Sequence, residues 1–392
     1  MYEQHRRPKR VPVVRALLGM AENAWLKRQF TRFAAFMGCG MPPLGWWRIL
    51  KANDFRVNIR YWHLVLFGWG ASIINAVNAR RERRLYGAAI RRTVVQPPII
   101  ILGHWRSGTT MLHEMLSLDE RFASPTFFQV IRPRTYLTEE PLILDFLKTI
   151  CPDTRPMDNM TQGLDDPAED EWALTMLTLL SPHYGFFFPR HTERHDRYLD
   201  LRQVPQSEVD VWKRGMVGCL QKLSYRYGKR MVLKSPTHTG RIQQLLELYP
   251  EAKFVHIHRN PYHVFRSSKR LYETGVSLLH LQRVPETMVL EGVFKRYRMM
   301  YDAFFECRDL IPDGQFCEVG FEDLERDKLG QMERIYAELG LGAFEAVLPS
   351  LQGFVEARSG YRKNTYPPLP EGIRQRIAHE WGRCFDAWGY TR

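Results

Sequence analysis

The chain has 392 residues, 44% hydrophobic and 25% charged, proportions that exclude a disordered, collagen-like or low-complexity protein. Its net charge of +13 is unevenly spread: the first 97 residues hold 18 of the 56 Lys and Arg but 4 of the 43 Asp and Glu, a net of +14, leaving −1 for the rest. That distribution excludes a uniformly basic nucleic-acid-binding domain.

The basic start, MYEQHRRPKR, leads into VPVVRALLGMA, where Arg15 breaks the apolar core that a signal peptide would need. Residues 61–77, YWHLVLFGWGASIINAV, carry no formal charge beyond a histidine, but fall short of the usual membrane-spanning length. NARRERRLYGAAIRR follows, and Trp46, Trp47, Trp62 and Trp69 are nearby. This stretch reads either as a segment lying in a membrane interface with its arginines on anionic lipid, or as a buried helix pair packed on the main domain. The second reading is the preferred one. Pro97-Pro98 opens the main domain, dividing the chain into a basic, aromatic-rich helical extension, 1–96, and a domain, 97–392.

Within that domain the pattern predicts strands at 99–103, 230–234, 253–258 and 315–319. Helices are expected at 108–118, 168–180, 206–227, 239–248, 261–273, 287–309 and 328–339. Short apolar strands alternating with helices imply an α/β fold, a P-loop-like parallel sheet flanked by helices with right-handed crossovers. Six scattered cysteines, with no CxxC and no Cys/His cluster at zinc spacing, read as buried thiols of a reducing compartment.

After the first strand comes GHWRSGTT. Gly103 and Gly108 let the backbone turn tightly around an anion, and the helix beginning near Gly108 adds its positive end. Ser107, Thr109 and Thr110 supply hydroxyls, and Arg106 a fixed charge with a fork of donors. Thr109 stands where a nucleoside-triphosphate loop needs lysine, and the next strands end in Lys234 and Arg259 rather than a magnesium-binding acid, which disfavours a kinase or NTPase. Lys234 closes one strand, with His238 shortly after it. Arg259 closes another, with Ser267 two helical turns on. In an open parallel sheet all these ends face one crevice.

Together, GHWRSGTT, LKSPTH and HRNPYHVFRSS resemble the nucleotide-binding elements of sulfotransferases that use 3′-phosphoadenosine 5′-phosphosulfate, over roughly residues 97–275. Arg106 brings the loop closer to the tyrosylprotein, carbohydrate and bacterial branches than to the cytosolic small-molecule branch. The resemblance implies that the segment 102–112 holds the 5′-phosphosulfate and that Arg259 and Ser267 hold the 3′-phosphate. It also implies that no metal is required and that Arg362 and Lys363 sit in a basic lid, although their residues read equally well as a solvated basic turn. The family's reaction is an in-line displacement in which a carbohydrate, lipid or other metabolite hydroxyl attacks sulfur. Arg106 and Lys234 would stabilise the developing charge.

Two residues compete for the base. His238 follows Lys234 in a segment resembling the Lys-Thr-His of cytosolic sulfotransferases, with two residues inserted. Glu169 lies at a helix start marked by Pro167 and shares the apolar face of Trp172, Ala173, Met176, Leu177 and Leu180; Asp170 and Glu171 suit the positive end of that helix. His183 is a third, less favoured choice. A non-catalytic nucleotide- or membrane-binding module on the same fold is the remaining alternative. The expected location is cytoplasmic, with peripheral membrane contact through the basic N-terminal region.

Overall fold

The computed structural model describes residues 40–140, 144, 163–358 and 367–392. Five strands are formed: β1 (Ile99–Leu102), β2 (Phe122–Ala123), β3 (Arg230–Lys234), β4 (Lys253–His258) and β5 (Phe316–Gly320). They make one sheet, parallel throughout, in the order β2-β3-β1-β4-β5. The longer helices are α1 (Pro43–Ala52), α2 (Trp62–Arg92), α3 (Thr109–Leu116), α4 (Glu171–Thr178), α5 (Gln206–Tyr227), α6 (Ile242–Leu248), α7 (Pro261–Thr274), α8 (Glu286–Cys307), α9 (Lys328–Glu338), α10 (Phe344–Ala357), α11 (Glu371–Glu380) and α12 (Gly382–Trp388).

The run Ile-Ile-Ile-Leu of β1 has no solvent exposure, because the strand lies in the middle of a sheet covered on both faces. Side chains alternate. Ile100 and Leu102 point with Met231, Leu233 and Phe254 into a core closed by α5 and α8, through residues such as Trp212, Leu220, Phe294 and Phe304. Ile99 and Ile101 point with Val232, Val255 and Val319 into the opposite core, closed by α3, α9 and α10 through Leu112, Ile335 and Leu351.

The strand expectations agree with these bounds to within a residue. Two helices begin later than their patterns suggest. The helix expected at 168–180 is the shorter α4: Asp170 stands at its N-cap, and Leu179 ends it in a left-handed conformation (φ +63°). The helix expected at 239–248 starts at Ile242, because Pro236–Gly240 forms a buried 3₁₀ turn. The two-residue β2 is too short to show an alternating pattern.

Residues 62–92 form one continuous helix of 31 residues rather than a helix pair. It is joined to the domain by polar contacts. Asn78 donates to Glu139 Oε1 (2.8 Å), and the Glu82 carboxylate accepts from the Thr138 N–H (3.0 Å). Glu82 is also ion-paired with the buried Lys222 of α5, which donates to the Pro133 carbonyl (2.7 Å) and lies 3.9 Å from the Tyr136 ring centre. Removing one partner of such a pair strands a buried charge. Glu82→Ala is therefore expected to lower stability by about 3–5 kcal/mol in chemical denaturation; a loss below about 1 kcal/mol would mean that the ammonium finds water instead.

Candidate functional site

β1 delivers the chain into a loop whose backbone few residues other than glycine tolerate. Gly103 (φ +143°) and Gly108 (φ +103°) both lie at positive φ. A Cβ on Gly103 would fall 2.5 Å from the Ile257 carbonyl oxygen, and one on Gly108 would fall 2.3 Å from the Phe321 ring. Between them Arg106 is itself held at φ +72°, a strained value for a residue with a side chain. The loop is fixed internally by Ser107, which is fully buried and donates from Oγ to the His104 carbonyl (2.8 Å). Thr109 is nearly buried and Thr110 partly exposed at the start of α3, whose positive end faces the loop.

The three sheet ends named from sequence are brought together. Register pairs Lys234 with Ile101 and His256 with Leu102, so β3 and β4 finish on either side of the β1 loop. Arg106 Nε donates to Ser267 Oγ of α7 (2.8 Å), and Arg259 donates to the Arg106 carbonyl (3.2 Å) while lying 4.1 Å from the centre of the Phe321 ring. Thr239, beyond β3, accepts at Oγ1 from the Gly103 N–H (2.7 Å). Arg106, Arg259 and Ser267 thus form one cluster of charge-bearing and hydroxyl donors beside a glycine cradle. Arg362 and Lys363 lie outside the described residues.

Facing β3 is a row of carboxylates preceding and opening α4. Glu169 accepts from Lys234 Nζ (2.9 Å), Asp170 pairs with His238 Nε2 (2.7 Å), and Glu171 pairs with Arg241 (2.6 and 3.1 Å). Glu171 also accepts from Ser181 (2.7 Å) and Thr237 (3.0 Å). Burial alone would raise the Glu171 carboxyl, but the Arg241 guanidinium outweighs it and holds the group below the usual value. Exposure rises along the row: the side chains of Glu171 and Arg241 are 0% exposed, Asp170 1%, and Glu169 21%. Asp170 and Glu171 are therefore held by specific partners, His238 and Arg241, a stronger reason for their position than the helix end that their sequence suggested.

His238 has no exposed surface. His183 is also buried, its Nδ1 3.5 Å from Thr175 Oγ1, among Trp172, Phe186 and Trp105 of the loop. Burial holds its imidazole below the ordinary value, against the pull of Glu171 and Glu169. Sequence reasoning passed over Thr239, Arg241 and Phe321. The 4-and-3 spacing of Lys234, His238 and Arg241 was the available signal for the second of these.

A lysine-free phosphate-type loop at the carboxyl edge of a doubly covered parallel sheet, ringed by arginine, lysine and serine, defines a P-loop-like group transferase. The chain belongs to the sulfotransferase family, whose family model matches residues 97–345, and it is an enzyme of that family, catalysing sulfuryl transfer. Omega-hydroxy-beta-dihydromenaquinone-9 sulfotransferase Stf3 from Mycobacterium bovis is 35% identical to it over 358 residues, 91% of each chain. The protein of the same name from Mycobacterium tuberculosis matches equally. In fold, it resembles the crystal structures of sulfotransferase STF9 from Mycobacterium avium (TM-score 0.61, 20% identity, 88% of this chain and 97% of that one) and STF1 from M. tuberculosis (TM-score 0.59, 18% identity, 80% and 86%).

Buried histidines next to the site give the fold an acid limit. Burial, opposed only by the Trp105 carbonyl contact, brings His104 down to about 4, and burial together with the Lys234 charge brings His113 to about 3. Unfolding frees both to protonate near the ordinary histidine value of 6.5. Their stabilising contribution is thus complete above pH 6.5 and is lost as pH falls towards their folded values. Urea midpoints measured from pH 7 to pH 5 should fall, each histidine adding about 1.4 kcal/mol per pH unit below its unfolded pKa, and His113→Asn should flatten the slope. A flat profile would show that these groups titrate freely in the native state.

Proposed function

We propose that the enzyme moves the sulfuryl group of 3′-phosphoadenosine 5′-phosphosulfate to a hydroxyl of an apolar, lipid-like acceptor. The observation that carries the donor is the Arg106–Ser267–Arg259 cluster set against the Gly103/Gly108 cradle. A phosphosulfate fits a cradle that a single Cβ would fill, with Arg106, Thr109, Thr110 and the positive end of α3 around it. Arg259 and Ser267 suit the additional ribose phosphate, and Arg362 and Lys363 would close over it. Residues 97–392 are read as the catalytic unit and 1–96 as its extension, although α2 shares a buried ion pair with α5.

For the transfer, the acceptor oxygen forms a bond to sulfur as the bond from sulfur to the 5′-phosphate oxygen breaks, and adenosine 3′,5′-bisphosphate leaves. Glu169 takes the acceptor proton; its partial exposure and its contact with Lys234 support it as the base. Lys234 and Arg106 stabilise the charge that develops on the leaving oxygen. His238, enclosed and bonded to Asp170, fits a positioning role that holds the carboxylate row in register. The lipid acceptor is supported by the two 35%-identical relatives, which are named for an omega-hydroxy-dihydromenaquinone acceptor.

Calorimetry tests the donor. Adenosine 3′,5′-bisphosphate should bind well and ATP weakly, and Arg259→Ala should weaken the bisphosphate roughly 10–100-fold while adenosine 5′-phosphate is unaffected. Unchanged bisphosphate affinity would remove Arg259 from the donor site. For the base, Glu169→Gln should lower kcat by about 10²–10⁴ with bisphosphate affinity retained, and His238→Asn should cost kcat less. The reverse order would transfer the proton to His238.

A further inference from the structure

We propose that the outward face of α2 seats this protein on an anionic membrane surface, the helix lying in the interface plane. The helix is turned inside out relative to an ordinary surface helix. Beyond Leu64 and Val65, the residues that it buries against the protein are small or polar: Gly68, Ser72, Asn75, Glu82 and Gly87. Its outward side carries Leu66 (63% exposed), Trp69 (46%), Ile73 (46%), Ile74 (66%) and Val77 (58%), and Leu44 and Trp47 of the adjoining α1 are exposed as well. A soluble surface does not gather large apolar side chains on one face without something to cover them.

The charge on the same helix identifies the covering phase. Arg80, Arg81, Arg83, Arg84, Arg91 and Arg92 are all exposed in its second half. Its only acidic residue, Glu82, is buried against Lys222, so its exposed surface carries guanidinium groups and no carboxylate. A second copy of this face would oppose arginines to arginines if docked parallel, and would set arginines against the apolar half if docked antiparallel. Residues 1–39, with eight Lys and Arg against two Glu, share the same sign. Anionic lipid headgroups complement the basic half, and the boundary between headgroups and acyl chains accepts the apolar half. No described helix is long and apolar enough to cross a membrane, in keeping with a helix that lies flat. The inference does not depend on which nucleotide is the donor.

Co-sedimentation of the full chain with vesicles tests it, comparing phosphatidylcholine alone with phosphatidylcholine containing phosphatidylglycerol. Sedimentation with the anionic vesicles is expected, weakening about tenfold or more in Leu66→Glu/Ile74→Glu and also in a variant with Arg80, Arg81, Arg83 and Arg84 changed to Glu. Bisphosphate affinity equal to that of the unmodified chain shows that each variant is folded, with Ile74→Ser as the milder substitute should one fail this check. Unmodified protein left in the supernatant, or variants that sediment undiminished, would overturn the proposal. A dimer dissociated by Leu66→Glu/Ile74→Glu would assign the face to a second copy. Vesicle binding that appears only after deletion of residues 1–39 would assign it to that segment.

Discussion

Glu169, Asp170 and Glu171 are consecutive, yet each meets a different basic side chain from one short stretch: Lys234 at the end of β3, His238 in the 3₁₀ turn and Arg241 ahead of α6. A buried carboxylate or guanidinium is tolerable only when paired and hydrogen-bonded, so sliding either segment by one residue would strand charges in the interior. The row therefore locks the start of α4 against the carboxyl edge of the sheet. At its deep end Glu171 and Arg241 are closed off from water and additionally tied to Ser181, Thr237 and the Tyr198 carbonyl. At its outer end Glu169 keeps some exposure beside the buried Lys234.

The sheet supplies the second constraint. β1 is paired on both sides, so Lys234 and the residues following β4 are carried to either side of the β1 loop by strand register alone. The loop then joins them through the Arg106–Ser267 and Arg259–Arg106 hydrogen bonds. Arg106 keeps its left-handed backbone because glycines on either side absorb the turn and because neighbouring elements hold its side chain and carbonyl. Positive groups are thus concentrated before any ligand arrives, at a reorganisation cost met during folding.

Beyond the catalytic edge, α2 reverses the usual economy of a surface helix. Its protein-facing stripe is joined by hydrogen bonds and one buried ion pair, and its large apolar residues look outward. Polar docking of this kind is directional: it fixes the rotation of the helix about its axis more tightly than a hydrophobic stripe would, and so fixes which side chains are presented to the surroundings.

Much of the site was legible in the order of residues. Strands β1, β3, β4 and β5 follow from short β-branched or apolar runs, and the tight loop after β1 from two glycines five residues apart. All of these are local, set by backbone sterics and side-chain period. The pairing of Glu169, Asp170 and Glu171 with Lys234, His238 and Arg241 was not legible, since the partners lie 65 to 70 residues apart and an acidic helix start has a sufficient local explanation. Nor did the sequence tell which stripe of 62–92 faces the protein, because an apolar stripe normally turns inward and the partner of the buried Glu82, Lys222, lies 140 residues away. Local chemistry determined the elements and the glycine turn after β1; tertiary structure decided which charges are buried together, because desolvation depends on every neighbour that packs around them.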